Sequence, residues 1–243
     1  MFVDRVESEQ EAFMGSIYLV RHGQASFGQA DYDKLSDKGR KQSEILGAHF
    51  KKLVTPDRFY SGDLLRHGQT ANHFLTGFGD SDIPIITHSG FNEFNHVEVL
   101  VRYKPEWKDY SVMALELAKN PIPKRAFEDA FLAAVTRWIS GAHDHEYEES
   151  WAQFQCRCTS ALEEVIAQSS DAKNIVIFTS GGPISAITQQ ILKLADREAF
   201  SVNSVLANTG VSKLLFSGDR LNVSYLNNYV HLELAGSDWV TYR

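Results

Sequence analysis

The chain has 243 residues, 43% hydrophobic and 23% charged, enough to bury one sizeable core in a single domain carrying an insertion. A formal net charge of −7 and a pI near 5.7 leave no basic footprint for a nucleic-acid backbone and disfavour an anionic membrane surface. The only cysteines, Cys156 and Cys158, lie two apart on a predicted helix and point roughly 200° apart, as free thiols in a reducing compartment would.

In chain order, Met1 to Gly15 carries Asp4, Arg5, Glu7, Glu9 and Glu11 and no apolar run of signal-peptide length. No later stretch reaches the roughly 18 apolar residues of a membrane helix, so a soluble, cytoplasmic protein is expected. Ile17-Tyr18-Leu19-Val20 has the character of a buried strand and stops at Arg21-His22-Gly23. Asp37 to about Val54, with Leu35, Ile45, Leu46, Phe50 and Leu53 near helical spacing, predicts a helix closed by Pro56. Arg58 to Ser61 predicts a strand, Asp63 to Leu75 a helix, and Ile83 to Thr87 a third strand after the Gly77 to Asp82 turn.

From Phe91 to Glu149 aromatics and charges mix, and helical pieces at Glu106 to Lys119 and Lys124 to Gly141 flank Pro121 and Pro123. This 91–149 segment is expected to be a helical, cap-like insertion and the seat of specificity. Trp151 to Gln168 predicts a long helix and Asn174 to Thr179 the strongest strand; Ser180-Gly181-Gly182-Pro183 leads into a helix to Leu194. Val211 to Phe216 and Leu221 to Leu226 predict a hairpin around Ser217-Gly218-Asp219. The expected class is α/β: three layers, α/β/α, about a mostly parallel sheet.

Ligands of such sheets gather beyond the carboxyl ends of strands, where loops converge and helix N-termini present N–H groups. Two strands here end in polar clusters, Arg21-His22-Gly23-Gln24 and Thr179-Ser180-Gly181-Gly182. A neutral imidazole beside a guanidinium, with a glycine removing bulk, suits in-line attack on phosphorus. Arg66-His67-Gly68 repeats that tripeptide, but on a helix His67 projects about 100° from Arg66, which sets it aside as a rival nucleophile.

Leu19-Val20-Arg21-His22-Gly23-Gln24, then Leu35-Ser36-Asp37-Lys38-Gly39, then Ser61-Gly62-Asp63-Leu64-Leu65-Arg66 with Gln69-Thr70-Ala71, resemble the histidine phosphatase superfamily, which includes cofactor-dependent phosphoglycerate mutases. The resemblance runs from about Ser16 to Leu194 and implies a phosphoglycerate mutase-like fold. It implies that His22 takes up the phosphoryl group, that Arg21 and Arg66 bind phosphate, and that Gly23, Gln24, Ser180 and Gly181 line the phosphate site. An acidic proton donor about 27 positions after the second arginine falls at Glu93, with Glu98 the next candidate; partial burial would raise its pKa for that role.

One position departs from the pattern. Where the family carries a second histidine before a glycine pair, this chain has Ser180. A neutral hydroxyl in place of a charge-assisted donor loses about 1–2 kcal/mol, roughly 5- to 30-fold in rate. The Gly181-Gly182 turn can supply donors, and His88, His96 and His231 are candidates to replace the imidazole.

His143-Asp144-His145-Glu146 lacks a distant third ligand set and reads as a solvated loop, so no metal is assigned. Trp107, Tyr110, Trp138 and Trp151 read as packing aromatics, with a substrate-lining role the alternative. The leading expectation is a phosphohydrolase of the histidine acid phosphatase type, a phosphomonoesterase acting on a small phosphorylated substrate. It releases inorganic phosphate and needs no cofactor, nucleic acid or membrane. The alternatives are a non-catalytic phosphate-binding or regulatory module, and a mutase-type phosphotransferase. Ala25-Ser26-Phe27-Gly28 argues against the latter, because mutases of the family continue with a Ser-Glu-Trp-Asn-like stretch.

Overall fold

The computed structural model describes residues 15–26, 33–79, 81–169, 171–218 and 220–242. The acidic stretch of residues 1–14, Phe27 and Gly28 of the continuation after Gln24, and Asp219 of the hairpin turn lie outside them.

Among the described residues six strands form one mixed sheet: β1 (Gly15–Arg21), β2 (Arg58–Ser61), β3 (Ile85–Thr87), β4 (Asn174–Thr179), β5 (Val211–Ser217) and β6 (Arg220–Asn228). Their order is β3-β2-β4-β1-β5-β6. β1 to β4 run parallel, and β5 runs antiparallel to both of its neighbours, β1 and β6, so the sheet is mostly parallel, in an α/β/α arrangement. Side chains alternate across it. Tyr18, Val20, Phe59, Val176 and Phe178 pack with Leu46 and Phe50 of α1 (Asp37–Phe50) and Ala71 and Phe74 of α2 (Leu65–Phe78) on one face. Ile17, Leu19, Ile175 and Ile177 point to the other face and are fully buried there. On that side the Tyr60 hydroxyl meets Ser169 Oγ at 3.1 Å.

Helices α1 and α2 approach at backbone distance. A methyl at Gly47 would overlap the Phe74 carbonyl, and one at Gly77 the Glu44 carbonyl, so glycine at both positions permits the crossing. Burial of the sheet's central strands follows from their continuous apolar runs. That is the pattern of parallel strands covered on both faces.

The chain divides into two compact units, Met1–Glu93 with Cys158–Arg243, and Phe94–Arg157. The second contains α3 (His96–Tyr103), α4 (Tyr110–Ala118), α5 (Pro123–Ile139) and the first turns of α6 (Trp151–Gln168). Its core is aromatic: Phe94 lies 4.8 Å from Trp138 between ring centroids, and Trp138 5.2 Å from Trp151. Trp138 Nε1 donates to the Glu149 carbonyl at 2.9 Å and Trp107 Nε1 to Glu116 Oε2 at 2.6 Å, so both indoles are satisfied inside the unit. Tyr110 is 75% exposed and joins neither cluster.

Three short helices were not expected from the sequence: α3, α8 (Asp196–Val205) and α9 (Val230–Ala235). The helix expected to run from Ser180-Gly181-Gly182-Pro183 to Leu194 is α7 (Gly181–Leu192), with Ser180 as its N-cap residue. No helix among the described residues is long and apolar enough to cross a membrane.

Candidate active site

The site follows from register. In the parallel pair β1 and β4, Arg21 lies opposite Thr179, so the next residues, His22 and Ser180, leave the sheet side by side. The His22 N–H donates to the Thr179 carbonyl at 2.8 Å. On the other side of β4, Ser61 of β2 pairs with Phe178, and the Gly62 N–H donates to the Phe178 carbonyl at 3.0 Å. The turn from Gly62 to Leu64 then starts α2, whose first residues include Arg66 and His67. Three adjacent strand ends thus deliver two histidines, two arginines and a serine to one edge.

His22 is 6% exposed, and its Nδ1 lies 2.7 Å from the Gly23 carbonyl. A carbonyl only accepts, so Nδ1 carries the proton and Nε2 holds the lone pair. Burial holds the imidazole well below the ordinary histidine range; the charges of Arg66 and Arg21 push the same way, against the opposing Gly23 bond. The ring is therefore neutral at physiological pH. The peptides on either side of it are clamped: Asn208 Nδ2 donates to the His22 carbonyl at 3.2 Å, and the Thr209 N–H donates to the Arg21 carbonyl at 3.0 Å.

Each arginine is aimed by an acceptor. Arg21 Nη1 donates to the Leu206 and Tyr242 carbonyls. A Cβ at Gly181 would stand 3.7 Å from Arg21 Nε, which places this guanidinium at the start of α7. Arg66, 6% exposed, donates through Nη1 to Asp33 Oδ1 at 2.6 Å.

Ser180 is fully buried, and its Oγ lies 2.6 Å from Nε2 of His67, itself fully buried. The rings of His67 and His22 are 5.9 Å apart between centroids. His67, set aside in the sequence as a rival nucleophile, thus lies beside His22 and Ser180. Helical geometry does separate it from Arg66 by about 100°, but in the first turn, next to the strand ends, both directions lead into the same pocket. Burial, with the charge of Arg66, keeps this imidazole neutral too.

Glu93 is half-buried, and its Oε2 accepts the Gly182 N–H at 3.1 Å, which brings it to the same helix start as Ser180 and Gly181. Glu98, in α3, instead accepts from the Glu148 N–H at 2.9 Å. Gly23 and Gln24 brace the loop. The Gly23 N–H donates to Thr70 Oγ1 at 3.0 Å, the Gln24 N–H to Gln42 Oε1 at 2.9 Å, and Gln24 Oε1 accepts from Ser36 Oγ at 2.9 Å. A methyl at Gly23 would overlap the Gly39 carbonyl.

The other histidines considered have different settings. His88 pairs with Glu164 at 3.1 Å, His231 with Thr209 Oγ1 at 3.0 Å, and His96 opens α3. In the 143–146 stretch, Glu146 is held by both oxygens on Arg137 Nη2 and accepts from His143. Among the described residues no group of three His, Cys, Asp or Glu side chains is arranged to hold a metal. Sequence reasoning missed Asp33, Thr70 and His67. The first two were present in or beside the quoted motifs, but nothing in their spacing tells which backbone groups they meet.

The family model described as "Histidine phosphatase superfamily (branch 1)" matches residues 17–121 and 96–229. Phosphoglycerate mutase-like protein 4 of Arabidopsis thaliana is 27% identical over 242 residues, 96% of this chain and 93% of its own. A relative from Hydrogenobacter thermophilus that bears a phosphoserine phosphatase name is 26% identical over 227 residues, 90% of this chain and 98% of its own. Among solved structures, phosphoglycerate mutase from Bacillus anthracis str. Sterne aligns with a TM-score of 0.63 at 18% identity, covering 92% of this chain and 97% of that one, a likeness of fold. With half of its length and more matched by that model, the chain belongs to the histidine phosphatase superfamily, branch 1.

Proposed function

We propose that the chain is a phosphomonoesterase that works through a phosphohistidine at His22 on a small phosphorylated substrate. The observation that carries this reading is the state of His22: a buried, neutral ring, its Nδ1–H fixed on the Gly23 carbonyl, its Nε2 lone pair unused, with two guanidinium charges acting on it.

In the first step the Nε2 lone pair forms the N–P bond as the ester P–O bond breaks, and the leaving oxygen takes a proton from the Glu93 carboxyl. In the second, water attacks phosphorus and gives its proton to the Glu93 carboxylate. The N–P electrons return to Nε2, and inorganic phosphate leaves. Arg21, Arg66, the Ser180 hydroxyl and the Gly181 N–H hold the phosphoryl oxygens, where preorganised donors have most effect. Gly23 and Gln24 support this by fixing the loop. In this reading Ser180 stands where relatives carry a second histidine, and neither metal nor cofactor takes part.

The name of the Hydrogenobacter relative makes phosphoserine the first natural substrate to try, beside para-nitrophenyl phosphate. Both should release inorganic phosphate in the presence of a chelator, and His22→Ala should lower the rate by at least about 10³-fold. A radiolabelled phosphoryl group trapped on the parent should survive base and be lost in acid. Equal rates for parent and His22→Ala would overturn the proposal. Label passing to a second alcohol instead of water would assign the phosphotransferase alternative.

A further inference from the structure

We infer that His67 is a positioning residue for phosphoryl transfer, whose Nε2 turns the Ser180 hydroxyl proton toward the phosphoryl group carried by His22. The inference rests on the phosphohistidine reading above and deepens it.

A neutral imidazole has one N–H, and the surroundings of His67 decide where it sits. Nδ1 is buried and has no hydrogen-bond partner; it packs against Gly62, where a methyl would overlap it. A proton on Nδ1 would leave a buried donor unpaired, an arrangement rarer than an under-used acceptor. Nε2 therefore carries the proton and donates to Ser180 Oγ across 2.6 Å.

The serine keeps its own hydroxyl proton as a result. Ser180 does not spend its side chain capping α7, although it is the N-cap residue. Its hydroxyl, fixed from behind by His67 and released next to His22 at the β1 and β4 ends, is left to donate forward. An O–H that accepts a hydrogen bond is also a stronger donor, so the two-link chain His67 Nε2–H to Ser180 Oγ–H to phosphoryl oxygen is cooperative. No proton leaves either residue during the reaction. The bonds made and broken remain those at His22 and the ester oxygen.

Leu and Gln have nearly the volume of a histidine, but only Gln offers an N–H. The test compares His67→Leu and His67→Gln, alone and with Ser180→Ala, by kcat and KM on para-nitrophenyl phosphate, with circular dichroism and melting temperature as checks on folding. His67→Leu and Ser180→Ala should each lower kcat about 10- to 100-fold with KM within about 3-fold. His67→Gln should stay within about 5-fold of the parent, and His67→Leu should add under about 2-fold to Ser180→Ala. Parental kcat in His67→Leu, equal losses in the Leu and Gln variants, or an undiminished His67→Leu effect without Ser180 would each overturn the inference. Loss of activity in His22→Ala with full activity in His67→Leu sinks this inference alone, whereas an active His22→Ala sinks the phosphohistidine reading.

Discussion

Asp33 accepts from Arg66 Nη1 at 2.6 Å through Oδ1 and from the Leu65 N–H at 2.9 Å through Oδ2, so one carboxylate both caps the start of α2 and aims the second arginine. The Asp33 side chain is 36% exposed and that of Arg66 7%, an arrangement in which the pair orients more than it stabilises. Asp33→Asn keeps an acceptor but removes the charge. It should raise KM for a phosphomonoester about 3- to 10-fold with a smaller change in kcat, and lower stability by under about 1 kcal/mol. Steady-state kinetics and the inhibition constant of inorganic phosphate check this. An unchanged KM would show that Arg66 is held by its packing alone.

How far the sequence could be read is clearest in α2. The helix expected over Asp63 to Leu75 is found at Leu65–Phe78, because strand, turn and helix periodicity are local properties. The contribution of His67 is not local. It depends on β2 lying next to β4, so that the first turn of α2 faces Ser180, and strand order is set by the packing of the whole sheet. Helical direction sets His67 aside as a nucleophile but carries no information about its contact with Ser180. The contact between His67 and Ser180 spans 113 positions, so no local pattern announces it. Helices α8 and α9 escaped for another reason: over 10 and 6 residues, buried positions are few, Ala199 in one and His231 and Leu232 in the other, too sparse to mark a period.

His231 supplies a pH prediction. It is 3% exposed, its Nε2 meets Thr209 Oγ1, and burial, with a smaller effect of the adjacent His49, lowers its pKa to about 3. The native chain keeps this ring neutral while the unfolded chain takes up a proton below the ordinary value near 6.5. Stability is therefore unaffected above that value and is lost as pH falls from there toward 3. At pH 5 the loss from this group is about 2 kcal/mol. His22 and His67, also held low by burial, act in the same direction. In His231→Gln, whose amide can keep the Thr209 bond, urea unfolding at pH 7 and pH 5 should show a difference about 2 kcal/mol smaller than in the parent. The same difference in both proteins would mean that His231 is protonated in the native state.

Gln42 ties the loop after β1 to the segment around Trp239 and Thr241. It is fully buried; its Oε1 accepts the Gln24 N–H at 2.9 Å, and its Nε2 donates to the Trp239 carbonyl at 2.7 Å and to Thr241 Oγ1 at 2.8 Å. Thr241 Oγ1 donates on to Asn208 Oδ1 at 2.8 Å, and Asn208 Nδ2 donates to the His22 carbonyl. The Gln42 amide and the His22 carbonyl thus share one hydrogen-bonded chain. Gln42→Leu keeps the volume but leaves the Gln24 N–H and the Trp239 carbonyl without their buried partner. It should cost about 2–4 kcal/mol of stability and lower kcat/KM about 3- to 10-fold through looser placement of His22. Thr241→Val cuts the same chain one link nearer the site, so its effect on kcat/KM should not add to that of Gln42→Leu. Fully additive effects would show that the two side chains act on separate parts of the structure and that His22 is held by the sheet alone.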